Sequence, residues 1–543
     1  MTTTNVNIAS HLPAMAALDP NRLAIIAAEG KLTFGELDAQ SDIYARGLEA
    51  IGIGRGVRTV LMVPPSLDFF PLVFGLFKAG AVIVMIDPGI GRRALLSCLD
   101  EVEPEAFIGV PAAHVARLLF PRPFRKVRAK VTVGTRLFWG GHTLKELRRR
   151  GLSSAPHQMA VPVAGETAAI LFTSGSTGIP KGAVYTHEVF DAQVRMIRDT
   201  YGIQPGEIDL PTFPLFALFD PALGMTSVLP QMDFRFPARA DPAKLVEAIT
   251  THGCTTMFGS PALIDNLSRY GVEKGITLPT LRRVLSAGAP MRNDVLERMS
   301  KLLTGDAQIF TPFGATESLP VASIGSREVL ADTARKAAAG HGVCVGRPVD
   351  GMTVRIIGIS DSPITHWSDS LLLPDGEIGE ITVRGPVVTR EYYARPEQTA
   401  LAKIRDGDQT VHRMGDVGFF DPQGRLWMCG RKSHRVVTSD RTHFTVPVEE
   451  LLNQHPLVRR TALVGIGERG KQEPVILVER EPGGAAGDDV VLRELRALAG
   501  KAPLTASLDR FAIFPGSFPV DARHNAKIER EKLARWATEQ RRP

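Results

Sequence analysis

One stretch constrains this chain more than any other: residues 168–187 read AAILFTSGSTGIPKGAVYTH. An apolar run stops abruptly in a loop of Gly, Ser and Thr, and the loop ends in Pro180-Lys181-Gly182. Gly175 and Gly178 let backbone amides come close to a polyanion, while Thr173, Ser174, Ser176 and Thr177 add hydroxyl donors. Lys181 adds a full positive charge. An ordinary P-loop needs Gly-Lys followed by Ser or Thr where a helix opens, and the order here is different. The stretch predicts a phosphate-holding loop after a buried strand. A flexible surface turn, the alternative, gives no reason for six small residues between an apolar run and a lysine.

A length of 543 residues suffices for several cores. With 44% apolar and 22% charged residues the composition is that of a globular protein rather than a disordered one. The opening MTTTNVNIASHLP lacks the charged-then-apolar order of a secretory signal. The most apolar region, 59–89, is broken by Pro64, Pro65, Asp68, Lys78 and Gly80, so it lacks the ~20 unbroken apolar residues of a membrane span. It reads as strand 60–63, helix 67–79 and strand 82–86, and no transmembrane segment is expected. Cys98, Cys254, Cys344 and Cys429 are isolated, without metal or redox spacing, which suggests a reducing cytoplasm.

The net charge is +6, and part of the excess lies in residues 117–151, where Glu146 is the only acid. Such a surface attracts nucleic acid, anionic lipid or an acidic partner. No helix-turn-helix, zinc module or aromatic RNA-binding signature accompanies it, so no nucleic-acid partner is expected. A solvated basic face is the simplest reading, with a partner-docking or lipid-facing surface next. The triplet Gly465, Gly467 and Gly470 imitates a dinucleotide fingerprint, but Pro474 and then Val475–Val478 follow where a helix should open. That segment predicts a hairpin turn. Serine-hydrolase elbows and zinc-protease helices are missing too.

Further motifs follow the phosphate loop in order: LSAGAP at 285–290, TPFGATES at 311–318, PDGEIGEITVRGP at 374–386, RMGDVGFFDPQGRLWMCGRKSHRV at 413–436 and RHNAKIEREKL at 523–533. Together they resemble the adenylate-forming superfamily of acyl-CoA synthetases, luciferases and peptide-synthetase adenylation domains, across essentially the whole chain. The resemblance implies an α/β fold, with a large multi-sheet adenylation domain over residues 1–431 and a small mobile α+β lid domain over 432–543. It implies ATP and Mg²⁺ as cofactors. Thr173, Ser174, Gly175, Ser176, Thr177, Gly178 and Lys181 would hold the β- and γ-phosphates. Gly288, Ala289 and Pro290 would border the adenine, with Phe313, Gly314 and Ala315 beside it. Thr316 would sit next to the α-phosphate, Glu317 would hold Mg²⁺, and Asp416 and Arg431 would bind the ribose. Lys527 would be the catalytic lysine, acting with Glu317, Thr316 and Lys181.

The acceptor region departs from the usual pattern. Relatives that load coenzyme A or a carrier protein commonly have Asp or Lys at the hinge, where this chain has Ser433. They have a lysine where Val437 stands, and the segment VVTSDRTHF contains no glycine. In the acyl-pocket stretch LPTFPLFALFDPALG, Ala217 replaces a common histidine, and Phe213, Phe216, Leu218 and Phe219 suggest an apolar channel. Phe216, Ala217, Asp220 and Gly259 are the expected substrate residues, although a cap before Pro221 would also account for Asp220. This stretch and FPVDARHNAKIEREKL resemble the branch of the superfamily that forms β-lactones in bacterial long-chain olefin biosynthesis. That resemblance implies a small-molecule substrate, a long-chain 2-alkyl-3-hydroxy acid whose own hydroxyl attacks the activated carbonyl. It also implies a complex with other olefin-pathway enzymes. His187, Asp220 and a bound phosphate are the candidates for taking the hydroxyl proton. A long-chain acyl-CoA synthetase, an acyl-AMP ligase and a nucleotide-binding scaffold without chemistry stay open as alternatives.

Overall fold

The computed structural model describes residues 6–155, 158–172, 180–483, 486–520 and 527–540, without the side chains of residues 88, 214 and 215. Two seven-stranded sheets carry the first 310 residues. The first has the order His142–Thr143, Ala129–Thr132, Ala106–Gly109, Arg58–Met62, Val82–Ile86, Thr167–Phe172, Gly182–Thr186. Its neighbours run parallel except the last pair, which is antiparallel. The second sheet has the order Gln308–Phe310, Arg283–Leu285, Thr256–Phe258, Ile208–Pro211, Thr226–Val228, Leu23–Ala27, Gly30–Thr33, also parallel but for its last pair. Strands of parallel sheets are covered on both faces and therefore read as unbroken apolar runs. LAIIA, VIVMI and AAILF are such runs.

The helix Phe69–Lys78, FFPLVFGLFK, explains how the two sheets share one core. It is apolar on every face, and a helix of that kind is stable only when surrounded. Every residue in it is buried, including Lys78, whose ammonium lies 2.6 Å from both Asp38 and Asp42. Charge pairing with two carboxylates offsets the cost of placing a lysine so deep. The sequence reading of 59–89 as strand, helix and strand holds.

An eight-stranded antiparallel sheet follows, ordered Phe313–Ala315, Ser318–Ser323, Val343–Pro348, Leu426–Arg431, Gln409–Phe420, Gly379–Arg384, Thr353–Ile357, with Lys403–Asp406 paired to Gln409–Phe420. Beyond Arg431 the chain passes a short turn, Lys432–His434, into a smaller sheet of Val458–Ile466, Glu473–Arg480 and Phe511–Ile513. Both faces of that sheet are covered: Leu463, Ile476 and Val478 join one cluster, and Ala462, Val464 and Leu477 another. The strands on either side of Gly467 and Gly470 form an antiparallel hairpin, as the missing helix had predicted. All four cysteines are free and buried. No helix among the described residues is long and apolar enough to cross a membrane.

Candidate active site

A single cavity of about 2100 Å³ opens where the sheets and the smaller C-terminal sheet meet. Its lining is of two chemical kinds. Phe69, Phe77, Met85, Phe190, Phe213 and Phe216 make an apolar part, in which Phe216 stacks on Phe258 at 3.7 Å. Lys181, Thr316, Glu317, Asp416, Arg431 and Lys527 make a polar part of the same cavity.

The polar residues come together from distant strands. Lys181 opens the strand Gly182–Thr186, which lies antiparallel to Thr167–Phe172. The predicted phosphate loop, Thr173, Ser174, Gly175, Ser176, Thr177 and Gly178, lies outside the described residues. Thr316 and Glu317 form the two-residue tip of a hairpin between Phe313–Ala315 and Ser318–Ser323. Gly314 is obligatory in that hairpin, since a Cβ there would lie 2.7 Å from the Ser318 carbonyl oxygen. The Tyr185 hydroxyl donates to the Thr316 carbonyl and fixes the tip. Gly288, Ala289 and Pro290 line the cavity just beyond the strand Arg283–Leu285, and Gly288 has a φ of 97° that favours glycine.

Asp416 and Arg431 face each other across paired strands, with Arg431 Nε 3.2 Å from Asp416 Oδ1. Burial pushes the Asp416 carboxyl above its ordinary range; Arg431, Lys527 and His434 pull it back down. Lys527, from the far end of the chain, therefore stands within electrostatic reach of Asp416. Ser433 lines the cavity in the turn Lys432–His434. That turn is clasped on both sides. Lys432 Nζ sits 3.0 Å from Glu380 and donates to the Ser360 carbonyl at 2.9 Å, and Arg435 pairs with Asp361 at 2.8 Å.

Several expected residues stand elsewhere. Ala217 and Asp220 are buried but do not line this cavity, and neither does Gly259, although its neighbours Phe258 and Ser260 do. The Gly259 amide donates to the Leu285 carbonyl at 2.9 Å, and a Cβ would lie 2.9 Å from Ile264 Cδ1, so this glycine is a packing requirement. Asp220 lies inside the short helix Phe219–Leu223 and is not a side-chain cap. It lines a second cavity of about 40 Å³, behind Phe216 and Phe258, together with Asp209. Burial, then the neighbouring carboxyl, pushes Asp220 well up; burial raises Asp209 to about 7. His187 begins the helix His187–Tyr201, edge-on to Phe77, and burial lowers it to about 4. It does not line the main cavity either. Of the candidates for taking the hydroxyl proton, neither side chain is placed at the reacting end.

Sequence reasoning passed over two further lining residues, Tyr392 and His412, and the buried pair Thr389 and Lys403. The Tyr392 hydroxyl donates to Glu317 Oε1 at 2.5 Å, and Lys181 Nζ lies 5.0 Å from the centre of the Tyr392 ring. Burial and the Glu317 charge push the Tyr392 phenol far up, so it stays a donor. Lys403 donates to the Thr389 carbonyl at 2.5 Å, while the Thr389 amide donates to the Glu317 carbonyl at 2.9 Å. Burial lowers Lys403 to about 7, and it drives buried His412 well below its usual value. The segment EYYARP offers no spacing signal for any of this; only Tyr next to Tyr in a polar stretch hints at a wall residue.

No group of three or more His, Cys, Asp or Glu that could hold a metal occurs among the described residues. Glu317, half-buried at the hairpin tip in the cavity wall, suits a Mg²⁺ ion that takes its other ligands from phosphate oxygens and water, the usual mode for that ion.

Parallel sheets packed on a shared core, an antiparallel sheet and one cavity with a polar and an apolar part are the architecture of an adenylate-forming enzyme. The chain belongs to the AMP-binding enzyme family, whose pattern matches residues 12–393. It is 52% identical over 99% of its length to a protein of Xanthomonas campestris named olefin beta-lactone synthetase, of which 99% is covered. A protein of the same name from Stenotrophomonas maltophilia is also 52% identical, with 98% of each chain covered. The fold is shared with the amide bond synthetase McbA of Marinactinospora thermotolerans: TM-score 0.80, 22% identity, 98% of this chain and 100% of that one.

Proposed function

We propose that this enzyme adenylates a long-chain 2-alkyl-3-hydroxy acid with ATP and closes the product to a β-lactone. One observation carries the reading: a single cavity joins the Asp416–Arg431–Lys527 polar cluster to the Phe213–Phe216–Phe258 apolar wall. The names of the two relatives at 52% identity support the same product.

A carboxylate is a poor electrophile, and joining it to the α-phosphate makes AMP the leaving group and releases pyrophosphate. Two anions must meet, so fixed cations facing them lower the barrier. Lys181 and the 173–178 loop take the β- and γ-phosphates, Asp416 and Arg431 the ribose hydroxyls, and Thr316 the α-phosphate. Gly288–Pro290 and Phe313–Ala315 border the adenine. Glu317, held by Tyr392, binds Mg²⁺, which when present neutralises phosphate charge. Lys527 stabilises charge as the carboxylate attacks, and the residues from 432 onward act as a lid about Ser433. In the second step the substrate's own 3-hydroxyl oxygen bonds to the carbonyl carbon, the carbonyl–phosphate C–O bond breaks, and AMP and a proton leave. Holding that hydroxyl against the carbonyl between Phe216 and its apolar neighbours supplies the effective concentration that ring closure requires. The enzyme works on a small molecule and forms a complex with the neighbouring enzymes of olefin biosynthesis in the cytoplasm.

Incubation with ATP, Mg²⁺ and a 3-hydroxy acid, with and without coenzyme A, tests the reading. The product should be the acid less one water, recovered without a thioester. A 3-deoxy acid should release at most one pyrophosphate per enzyme. Sustained, coenzyme A-dependent turnover of the 3-deoxy acid would restore the ordinary synthetase.

A further inference from the structure

The edge of the first sheet carries features that the cavity chemistry does not use. Residues 117–150 contain eleven Lys or Arg and one acid, Glu146, while the whole chain is only +6, so the remainder is net negative. The helix Pro111–Leu119 buries His114 alone. Ala112, Val115, Ala116 and Leu119, spaced i, i+3, i+4 and i+7, form an apolar stripe turned to solvent, with Leu119 69% exposed. Beside it stands a loop that presents Leu137 and Phe138, the latter 82% exposed. This loop is fixed to the helix, since Trp139 stacks on His114 at 5.2 Å and donates to Thr132 Oγ1 at 3.0 Å. The edge strand His142–Thr143 then leads into helix Leu144–Ser153. That helix buries Leu147 and Gly151 and exposes Lys145, Arg148, Arg149, Arg150 and Leu152. Lys145, Arg149 and Arg150 form no ion pair among the described residues. Arg117 has Nε and Nη2 buried without a hydrogen-bond partner there.

We propose that this sheet edge, built from Pro111–Leu119, the 133–141 loop and Leu144–Ser153, docks the enzyme on an anionic phospholipid surface. Exposed Leu and Phe side chains on one side of the sheet edge and a row of exposed Arg and Lys on the other supply the two elements that an interfacial site needs. The apolar tips enter the headgroup layer and the cations meet its phosphates. An acidic protein would satisfy the cations but leave an 82% exposed Phe138 and the helix stripe without a counterpart. The face also adjoins the cavity: Val110, the residue before the exposed helix, is part of the cavity lining. On the proposed function, docking would bring that lining to the surface in which a long-chain acid dissolves.

The test is co-sedimentation of the full chain with vesicles of phosphatidylcholine alone or mixed with phosphatidylglycerol, at about 0.15 M salt. Binding should require phosphatidylglycerol. It should fall about tenfold or more in Arg148→Ala/Arg149→Ala, and to a similar extent in Leu119→Ser/Phe138→Ser with every charge retained. All four positions are exposed, so melting temperature should stay put, and pyrophosphate release from detergent-dispersed acid should be unchanged. Wild-type protein that ignores phosphatidylglycerol vesicles would overturn the proposal. So would Leu119→Ser/Phe138→Ser binding as wild type does, which would leave a purely electrostatic, protein-type surface. Because sedimentation needs no turnover, a failure of the lactone chemistry would show separately in the product assay.

Discussion

Replacing Asp416 by alanine should weaken ATP binding without unfolding the protein, and the structure sets both expectations. The carboxylate is buried, with its side chain 9% exposed, while its partner Arg431 is 33% exposed at 3.2 Å. Removing a buried acid usually strands a charge, at a cost of several kcal/mol. Here the guanidinium keeps contact with water and still donates to the Met414 carbonyl at 3.2 Å, so the pair behaves more like a surface one, within about 1 kcal/mol. Asp416 is itself held above its ordinary range by burial, a strain that alanine removes. Binding is different, because a carboxylate that accepts from ribose hydroxyls contributes about 1.5–3 kcal/mol. Asp416→Ala should therefore bind ATP roughly 10- to 150-fold more weakly, with a melting temperature close to wild type. The decisive assay is a titration with ATP and with 2′-deoxy-ATP. Wild type should prefer ATP, and the variant should hardly distinguish them. A variant that loses affinity but keeps the full preference would show that Asp416 does not touch the sugar.

Three further outcomes are expected. Lys527→Ala should bind ATP nearly as wild type but release pyrophosphate ~10²–10³-fold more slowly, since its charge acts in the transition state; wild-type release would remove it from the chemistry. Asp209, raised to about 7 by burial, stays protonated in the folded chain where the unfolded chain ionises near 3.8. Stability should accordingly fall as pH rises between those values, and Asp209→Asn should flatten that fall by roughly 1–3 kcal/mol, read as melting temperature at pH 5 and pH 8. Parallel curves for variant and wild type would contradict the buried-acid assignment. Gly430→Ala places a Cβ 2.5 Å from Thr445 Oγ1 at a φ of +126°. It should destabilise by roughly 1–3 kcal/mol in denaturant melts, and an unchanged midpoint would mean that helix Thr445–Leu452 does not press on this strand.

Much of the architecture was already fixed by local chemistry in the chain. Runs such as AAILF and VIVMI suit strands covered on both faces, and FFPLVFGLFK suits a helix with neighbours all round. Pro474 and the apolar residues after it made the Gly465–Gly470 stretch a hairpin rather than a nucleotide loop. The residues of the polar cluster were legible because their motifs keep a fixed order along the chain. Three-dimensional packing alone decided the rest. Tyr392 meets Glu317 across 75 residues, and Lys403 reaches the same hairpin through Thr389. No local pattern encodes such contacts, because they exist only when segments far apart in the chain are packed together, as where Tyr392 bridges Ala183 of the first sheet. Asp220 shows the same limit in reverse. In the chain it is an acid among phenylalanines and so a candidate base, but its chemistry depends on what surrounds it. Buried behind Phe216 beside Asp209, it is an acid held in its neutral form, because an apolar enclosure penalises the charge that a base would need.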